Sequence, residues 1–190
     1  MKTKQIQRDD FKQAVGRITN PQREEFSLLI YDRLFTISGF TSSRYYFLYC
    51  SMGSEPETKG IFNRLIEDRK EVAFPIWHQK EQRLSWHLVH TWDQLQRRSN
   101  RIMEPVYSPQ TEILFHQADW ILVPGIAFDR RGYRLGRGAG MYDRTLASLR
   151  NETGRVGLFF SIQEANHVVT EAHDQRMNFI VTEKERIIIK

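Results

Sequence analysis

The stretch Arg134-Leu-Gly-Arg-Gly-Ala-Gly-Met-Tyr-Asp143 constrains this chain more than any other. Gly136, Gly138 and Gly140 alternate, so a short run of backbone is bare of side chains, and its N–H groups can turn together toward one anion. An apolar strand-like run, Trp120 to Phe128, precedes it, and a helix-like run, Tyr142 to Leu149, follows. A glycine loop that opens a helix presents free N–H groups and the positive end of the helix dipole to a phosphate. Arg134 and Arg137 add forked donors that suit phosphate oxygens. Spacing alone leaves two readings open: a phosphate cradle, or a tight loop in which glycine only relieves strain. The pattern matches neither the P-loop nor the dinucleotide fingerprint, so it does not specify a nucleotide class.

A chain of 190 residues, 40% of them apolar and 27% charged, is expected to fold as one globular domain over residues 1–190. No apolar run approaches the roughly 20 residues that span a bilayer. The first ten residues are polar, unlike a secretory signal, and Cys50 is the lone cysteine. Both features fit a cytoplasmic protein with no membrane partner. In its apolar setting Cys50 reads as a small buried residue rather than a nucleophile. The net charge of +5 calls for an anionic partner. The basic residues are scattered, and no zinc-finger spacing or RNA-recognition aromatic motif is present. A nucleotide or another small polyanion explains the excess as well as nucleic acid does; the chain as a whole is expected to be a monomer with no nucleic-acid partner.

Periodicity predicts a helix over residues 3–18 with Ile6, Phe11, Val15 and Ile18 toward the core. Lys4, Arg8 and Lys12 then form a cationic stripe, which by itself reads equally as a solvated face. A second helix starts at Asn20-Pro21 and runs to Ser38, with Gly39 closing it. Strands are expected over 45–51, 71–75, 83–90, 120–123, 155–160, 178–182 and 186–189, helices over 57–68 and 92–98, and a loop over 101–109. Apolar runs separated by helices predict a three-layer α/β/α sandwich with a mainly parallel, Rossmann-like central sheet. Ligands in such sheets sit beyond the carboxyl ends of the strands, where Cys50–Glu55 and Pro124–Asp143 begin.

The run Val123-Pro-Gly-Ile-Ala-Phe-Asp-Arg-Arg-Gly-Tyr-Arg-Leu-Gly-Arg-Gly-Ala-Gly-Met-Tyr-Asp143 resembles the hallmark segment of the 5-formyltetrahydrofolate cyclo-ligase family, also called methenyltetrahydrofolate synthetases. Shorter matches follow in order: Lys4-Gln-Ile-Gln-Arg8, the turn Ser51-Met-Gly-Ser-Glu-Pro-Glu-Thr58, and His173-Asp174 with Ile180-Val-Thr-Glu183. The resemblance implies ATP-dependent closure of 5-formyltetrahydrofolate to 5,10-methenyltetrahydrofolate, releasing ADP and phosphate, with Mg2+. It implies that ATP phosphates meet Lys4, Arg8 and the loop Arg134, Leu135, Gly136, Arg137, Gly138, Ala139, Gly140, Met141 and Tyr142. Asp143 and Asp174 would hold Mg2+, and Cys50, Met52, Glu55 and Tyr142 would line the folate pocket. Glu55, Arg137 and Tyr142 are the residues expected to act in catalysis.

Read from position alone, Asp143 also suits a helix dipole and Glu55 a helix cap. The chain departs from the family pattern at several sites. Family loops often carry glycine or lysine where Ala139 stands, an aromatic where Met141 stands, and aspartate where Asn178 stands. Ala139 must then keep an ordinary φ. Ile76 takes the place of a frequent basic residue, so the folate glutamate tail is expected to find Lys80 or Arg83 instead. A sugar-phosphate isomerase, a CoA-transferase-like enzyme and a nucleic-acid-binding module are the competing readings; the last predicts binding that weakens steeply with salt.

Overall fold

The computed structural model describes residues 3–98 and 102–190. Among the described residues there are four α-helices: α1 (Lys4–Val15), α2 (Asn20–Leu34), α3 (Lys59–Glu67) and α4 (Met141–Ala147). The strands are β1 (Tyr45–Phe47), β2 (Glu71–His78), β3 (Arg83–Leu88), β4 (Leu95–Arg97), β5 (Met103–Pro105), β6 (Glu112–Ile113), β7 (Trp120–Val123), β8 (Ala127–Phe128), β9 (Arg134–Leu135), β10 (Gly154–Leu158), β11 (Phe179–Val181) and β12 (Arg186–Ile188). Eight of them form one sheet in the order β12-β11-β10-β7-β1-β2-β3-β6. From β11 to β2 the pairing is parallel, and β12, β3 and β6 add antiparallel edges.

Side chains alternate across this sheet and so build two cores. Tyr46, Leu48, Val72, Phe74, Leu122 and Val156 pack on one face with Ile30 and Leu34 of α2 and Ile61, Phe62 and Leu65 of α3. Phe47, Ala73, Ile121, Val123 and Ile180 point to the other face and meet Leu146, Leu149 and Phe128. From β1 the chain crosses through α3 to β2 on one side; from β7 it crosses through α4 to β10 on the other. Two crossovers of the same hand running in opposite directions place their helices on opposite faces. The strand order therefore reverses between β1 and β7, which pair directly through Tyr46 and Trp120. A crevice at such a reversal is where open α/β sheets bind ligands.

Element ends differ from the sequence reading in instructive ways. α1 stops at Val15 and leaves Ile6 47% exposed, because Gln7 takes the inward position instead. Its amide donates to His167 O at 2.7 Å and accepts from Val169 N at 3.0 Å, so a polar residue docks the helix. α2 ends at Leu34 and reaches Gly39 through turns. Its start is a capping box of Thr19 and Gln22. Residues 92–98 hold one 3-10 turn, Trp92–Gln94, followed by β4. The stretch expected to be loop contains β5, which pairs with β4 in the register Leu95↔Pro105; Arg101, its first residue, lies outside the described residues. Strand pairing at β1 is regular only to Phe47, although Leu48 N still bonds Ala73 O.

Candidate active site

A cleft of about 870 Å³, counting its open mouth, lies beyond the carboxyl ends of β1 and β7. One wall is the turn after β1. Glu55 N donates to Met52 O and Met52 N donates back to Glu55 Oε2 at 2.9 Å. The Tyr49 hydroxyl holds Pro56 O and the Thr58 hydroxyl holds Tyr49 O, fixing this turn from beneath. The Glu55 carboxylate is consequently buried at the head of the cleft, with 4% of its side chain exposed.

The opposite wall is the glycine loop, delivered by the short hairpin β8–β9. Asp129 is fully buried and organises that hairpin: it accepts from Arg131 N, Tyr133 N and Val168 N and pairs with the Arg131 guanidinium at 2.6 Å. Beyond β9 the backbone reaches φ +112° at Gly138 and +62° at Gly140, conformations that side chains resist. Ala139 keeps negative φ, as its side chain requires. Two arginines pin the loop by its carbonyls: Arg8 Nε to Gly136 O at 3.0 Å and Arg144 Nη2 to Ala139 O at 2.9 Å. Arg137, on the same loop, crosses the cleft to Glu55 Oε1, with Nη2 at 2.8 Å and Nε at 3.3 Å.

The cationic stripe of α1 meets this wall. Arg8 lies against Gly138, and Lys4 Nζ stands 2.8 Å from Asp174 Oδ2 and 3.3 Å from Glu171 Oε2. Lys12, the third member, stays exposed. Burial pushes the Asp174 carboxyl up, but hydrogen bonds from Lys4 and the Glu171 amide, with the charges of Lys4 and His173, together hold it below its usual value. One of its carboxylate oxygens lies within 4.8 Å of a Glu171 carboxylate oxygen and a His173 ring nitrogen, and Asp143 is not in that group.

Asp143, in the first turn of α4, lines the cleft and accepts from Arg134 Nη1 at 3.0 Å and from Gln175 N at 3.1 Å, both on Oδ1. Its Oδ2 takes no hydrogen bond from any described residue. A carboxylate oxygen free of protein donors is a fitting ligand for a hard dication. Asp174 Oδ2 is already engaged by Lys4, so it fits that task less directly. Arg134 lines the cleft as well, but its side chain is 2% exposed and Nη1 is committed to Asp143 and Gln175 O. Its Nε is buried without a partner. Burial at this position makes Arg134 a support for Asp143 before anything else. Leu135 is core, its side chain clustered with Ala127, Ala165 and Val168.

Tyr142 and Cys50 close the apolar floor with Tyr49. Burial, then the charges of Glu55 and Cys50, pushes the Tyr142 phenol far above its ordinary range, and Arg134 offsets this only in part. The hydroxyl stays protonated at neutral pH and can donate but not serve as a base. Burial, then Glu104 and Glu55, raises the Cys50 thiol to about 12, so it is no nucleophile. Met52 also lines the cleft. Lys80 and Arg83 are exposed at the β2–β3 turn and are not among the cleft's lining residues. Asn178 bonds Arg155 N through its side chain and starts the β10–β11 pairing, away from any carboxylate cluster.

Sequence reasoning missed the third wall. Trp77, Leu84, Met103 and Glu104 complete the cleft from β2, β3 and β5. Glu104 is buried, accepts Trp77 N at 3.3 Å and pairs with Arg98 at 3.2 Å. The available signal was the antiparallel partnership of β4 with β5, which is short and too polar to alternate.

The family profile described as the 5-formyltetrahydrofolate cyclo-ligase family matches residues 1–183. The chain belongs to this family. It is 32% identical over 129 residues to the 5-formyltetrahydrofolate cyclo-ligase of Haemophilus influenzae, covering 67% of this chain and 69% of that one. To the enzyme of the same name from Mycolicibacterium smegmatis it is 30% identical over 147 residues, covering 74% of each. The solved structure of Aquifex aeolicus 5,10-methenyltetrahydrofolate synthetase superposes with a TM-score of 0.85 at 28% identity, over 98% of this chain and 93% of that one. A methenyltetrahydrofolate synthetase from Mycoplasma pneumoniae, at 17% identity and a TM-score of 0.77, shares the fold. As a cyclo-ligase family member the chain is an ATP-dependent ligase of folate one-carbon metabolism.

Proposed function

We propose that this cleft closes 5-formyltetrahydrofolate to 5,10-methenyltetrahydrofolate by phosphorylating the formyl oxygen. A formyl group on nitrogen is a poor electrophile and its oxygen a poor leaving group. The formyl oxygen attacks the terminal phosphorus of ATP and ADP departs. N10 then attacks the activated carbon and loses its proton, and the phosphorylated oxygen leaves as inorganic phosphate. Chemistry of this kind asks a protein mainly for position and charge neutralisation.

Lys4, Arg8, Arg137 and the amides of 136–142 hold the triphosphate, and Arg134 keeps Asp143 aimed at it. Asp143, with Asp174 nearby in the following segment, would hold Mg2+, which neutralises charge on the phosphate oxygens when bound. Glu55 accepts from an N–H of the pterin, while Cys50, Met52 and Tyr142 shape the apolar pocket around it. The observation that carries this reading is the 2.8 Å contact between Arg137 and Glu55, because it brings the nucleotide wall and the folate wall to one point. No helix of the described residues is long and apolar enough to cross a membrane. We take the chain to act as a cytoplasmic monomer, one domain over residues 1–190, with no nucleic-acid partner.

The test is spectroscopic. Purified protein with 5-formyltetrahydrofolate, ATP and Mg2+ is expected to yield the absorbance of the conjugated methenyl product, and none above the acid-catalysed background without ATP. Product formation that ignores ATP, or none at all, overturns the reading. A chelator is expected to suppress the signal, and gel filtration checks the monomer.

A further inference from the structure

We infer that Arg137 is a latch on Glu55, so that the triphosphate is taken up first and its arrival opens the folate site. This inference rests on the assignment of the two walls given above. In the structure Oε1 of Glu55 receives both Nη2 and Nε of Arg137, and Oε2 receives the amide of Met52. Three of the roughly four acceptor positions of that carboxylate are then taken, both of those on Oε1 by Arg137.

Arg137 is placed to let go. Its side chain is 43% exposed, against 4% for Glu55. Glu55 is its only hydrogen-bond partner among the described residues. The backbone on either side is fixed by Arg8 at Gly136 O and by Arg144 at Ala139 O, so the side chain can swing without moving the loop. The neighbouring cations are otherwise engaged: Lys4 with Asp174 and Glu171, Arg134 with Asp143.

A triphosphate bound along the loop offers Arg137 several negative oxygens in place of one carboxylate, and a guanidinium suits either geometry. Exchange toward the more highly charged partner is favourable. It leaves Glu55 charged, buried and short of donors, a condition that a pterin N–H relieves. The nucleotide thus creates the acceptor that the folate needs. Because coupling between two ligands is reciprocal, bound folate must tighten the nucleotide by the same factor.

The experiment measures 5-formyltetrahydrofolate binding to the full chain by calorimetry, with and without a non-hydrolysable imido analogue of ATP and Mg2+. The analogue is expected to tighten folate binding about tenfold, within the range usual for coupled sites. The converse titration is expected to show the same factor. In Arg137→Gln the folate Kd is expected to be the same with and without analogue. Equal folate affinity in the two arms for the parent protein overturns the latch, and needs no variant to be seen. Full coupling that survives Arg137→Gln overturns it as well. If both ligands bind and methenyl product forms without coupling, the latch alone falls; if neither ligand binds, the assignment of the cleft falls with it.

Discussion

Arg134 and Asp143 form an ion pair at 3.0 Å in which the cation is the more deeply buried partner, 2% exposed against 15%. The guanidinium also holds Gln175 O, and Gln175 N returns to Asp143. This closed set of contacts fixes one carboxylate oxygen and leaves the other without a hydrogen bond from any described residue. Arg134→Met is expected to lower unfolding free energy by about 1.5–3 kcal/mol, the worth of hydrogen bonds to a charged group. It is also expected to blunt the response of activity to Mg2+. Urea denaturation and a Mg2+ titration of turnover check it; parental behaviour in both would deny the pairing its role.

Glu55→Gln keeps the shape of the turn, including a group that can accept Met52 N, but removes the charge. Folate turnover is expected to fall by more than tenfold while the KM for ATP shifts by less than threefold, about 1.4 kcal/mol being one factor of ten. Steady-state kinetics in both substrates decide; the reverse pattern would move Glu55 to the nucleotide side.

Cys50 is expected to resist alkylation. With the thiol raised to about 12, the thiolate fraction at pH 8 is negligible, and the side chain is 8% exposed. Iodoacetamide is expected to label the folded chain slowly and the urea-unfolded chain rapidly, as followed by intact mass. Fast stoichiometric labelling of the native protein would contradict the burial.

A pH dependence of stability follows from the β2–β3 hairpin. The Thr111 hydroxyl donates to Ser108 O, so His87 Nδ1 must donate to Thr111 Oγ1 at 3.1 Å. His87 Nε2 is then the acceptor of the Ser85 hydroxyl at 2.9 Å, and Ser85 Oγ accepts from His78 Nε2 at 2.6 Å. Burial holds the His87 imidazole below its ordinary 6.5, aided by His78 and opposed by Glu112 and the Ser108 carbonyl. The unfolded chain therefore binds more protons than the folded one below about 6.5. Stability is expected to be complete above that pH and to decline as pH falls through it. Denaturation midpoints of parent and His87→Gln between pH 8 and 5 test this; an equal slope in the variant would assign the decline elsewhere.

Much of the site was legible because glycine spacing and the apolar run before it are local signals. Gly136, Arg137, Ala139 to Asp143 and Glu55 line one cleft, and Arg8 reaches the same loop at Gly136 O. The rest depended on partners far away in sequence. Nothing in the periodicity of α1 reveals that Gln7 faces inward, since its partners are carbonyl and amide groups of 167 and 169. β4 and β5 are three residues each and carry Gln96, Arg97 and Glu104, so no alternation marks them as strands or Glu104 as a lining residue. Arg134 reads as a phosphate ligand by residue type, and only packing shows that its guanidinium is enclosed.

Lys4 and Asp174 are 170 positions apart. During synthesis the first helix leaves the ribosome long before its acidic counterpart exists, and until then Lys4 has neither of its carboxylate partners. The join between α1 and the segment around Asp174 is consequently among the final parts of the molecule to assemble. A nascent chain arrested ahead of Glu171 is expected to lack this join together with β11 and β12, which both follow it in sequence.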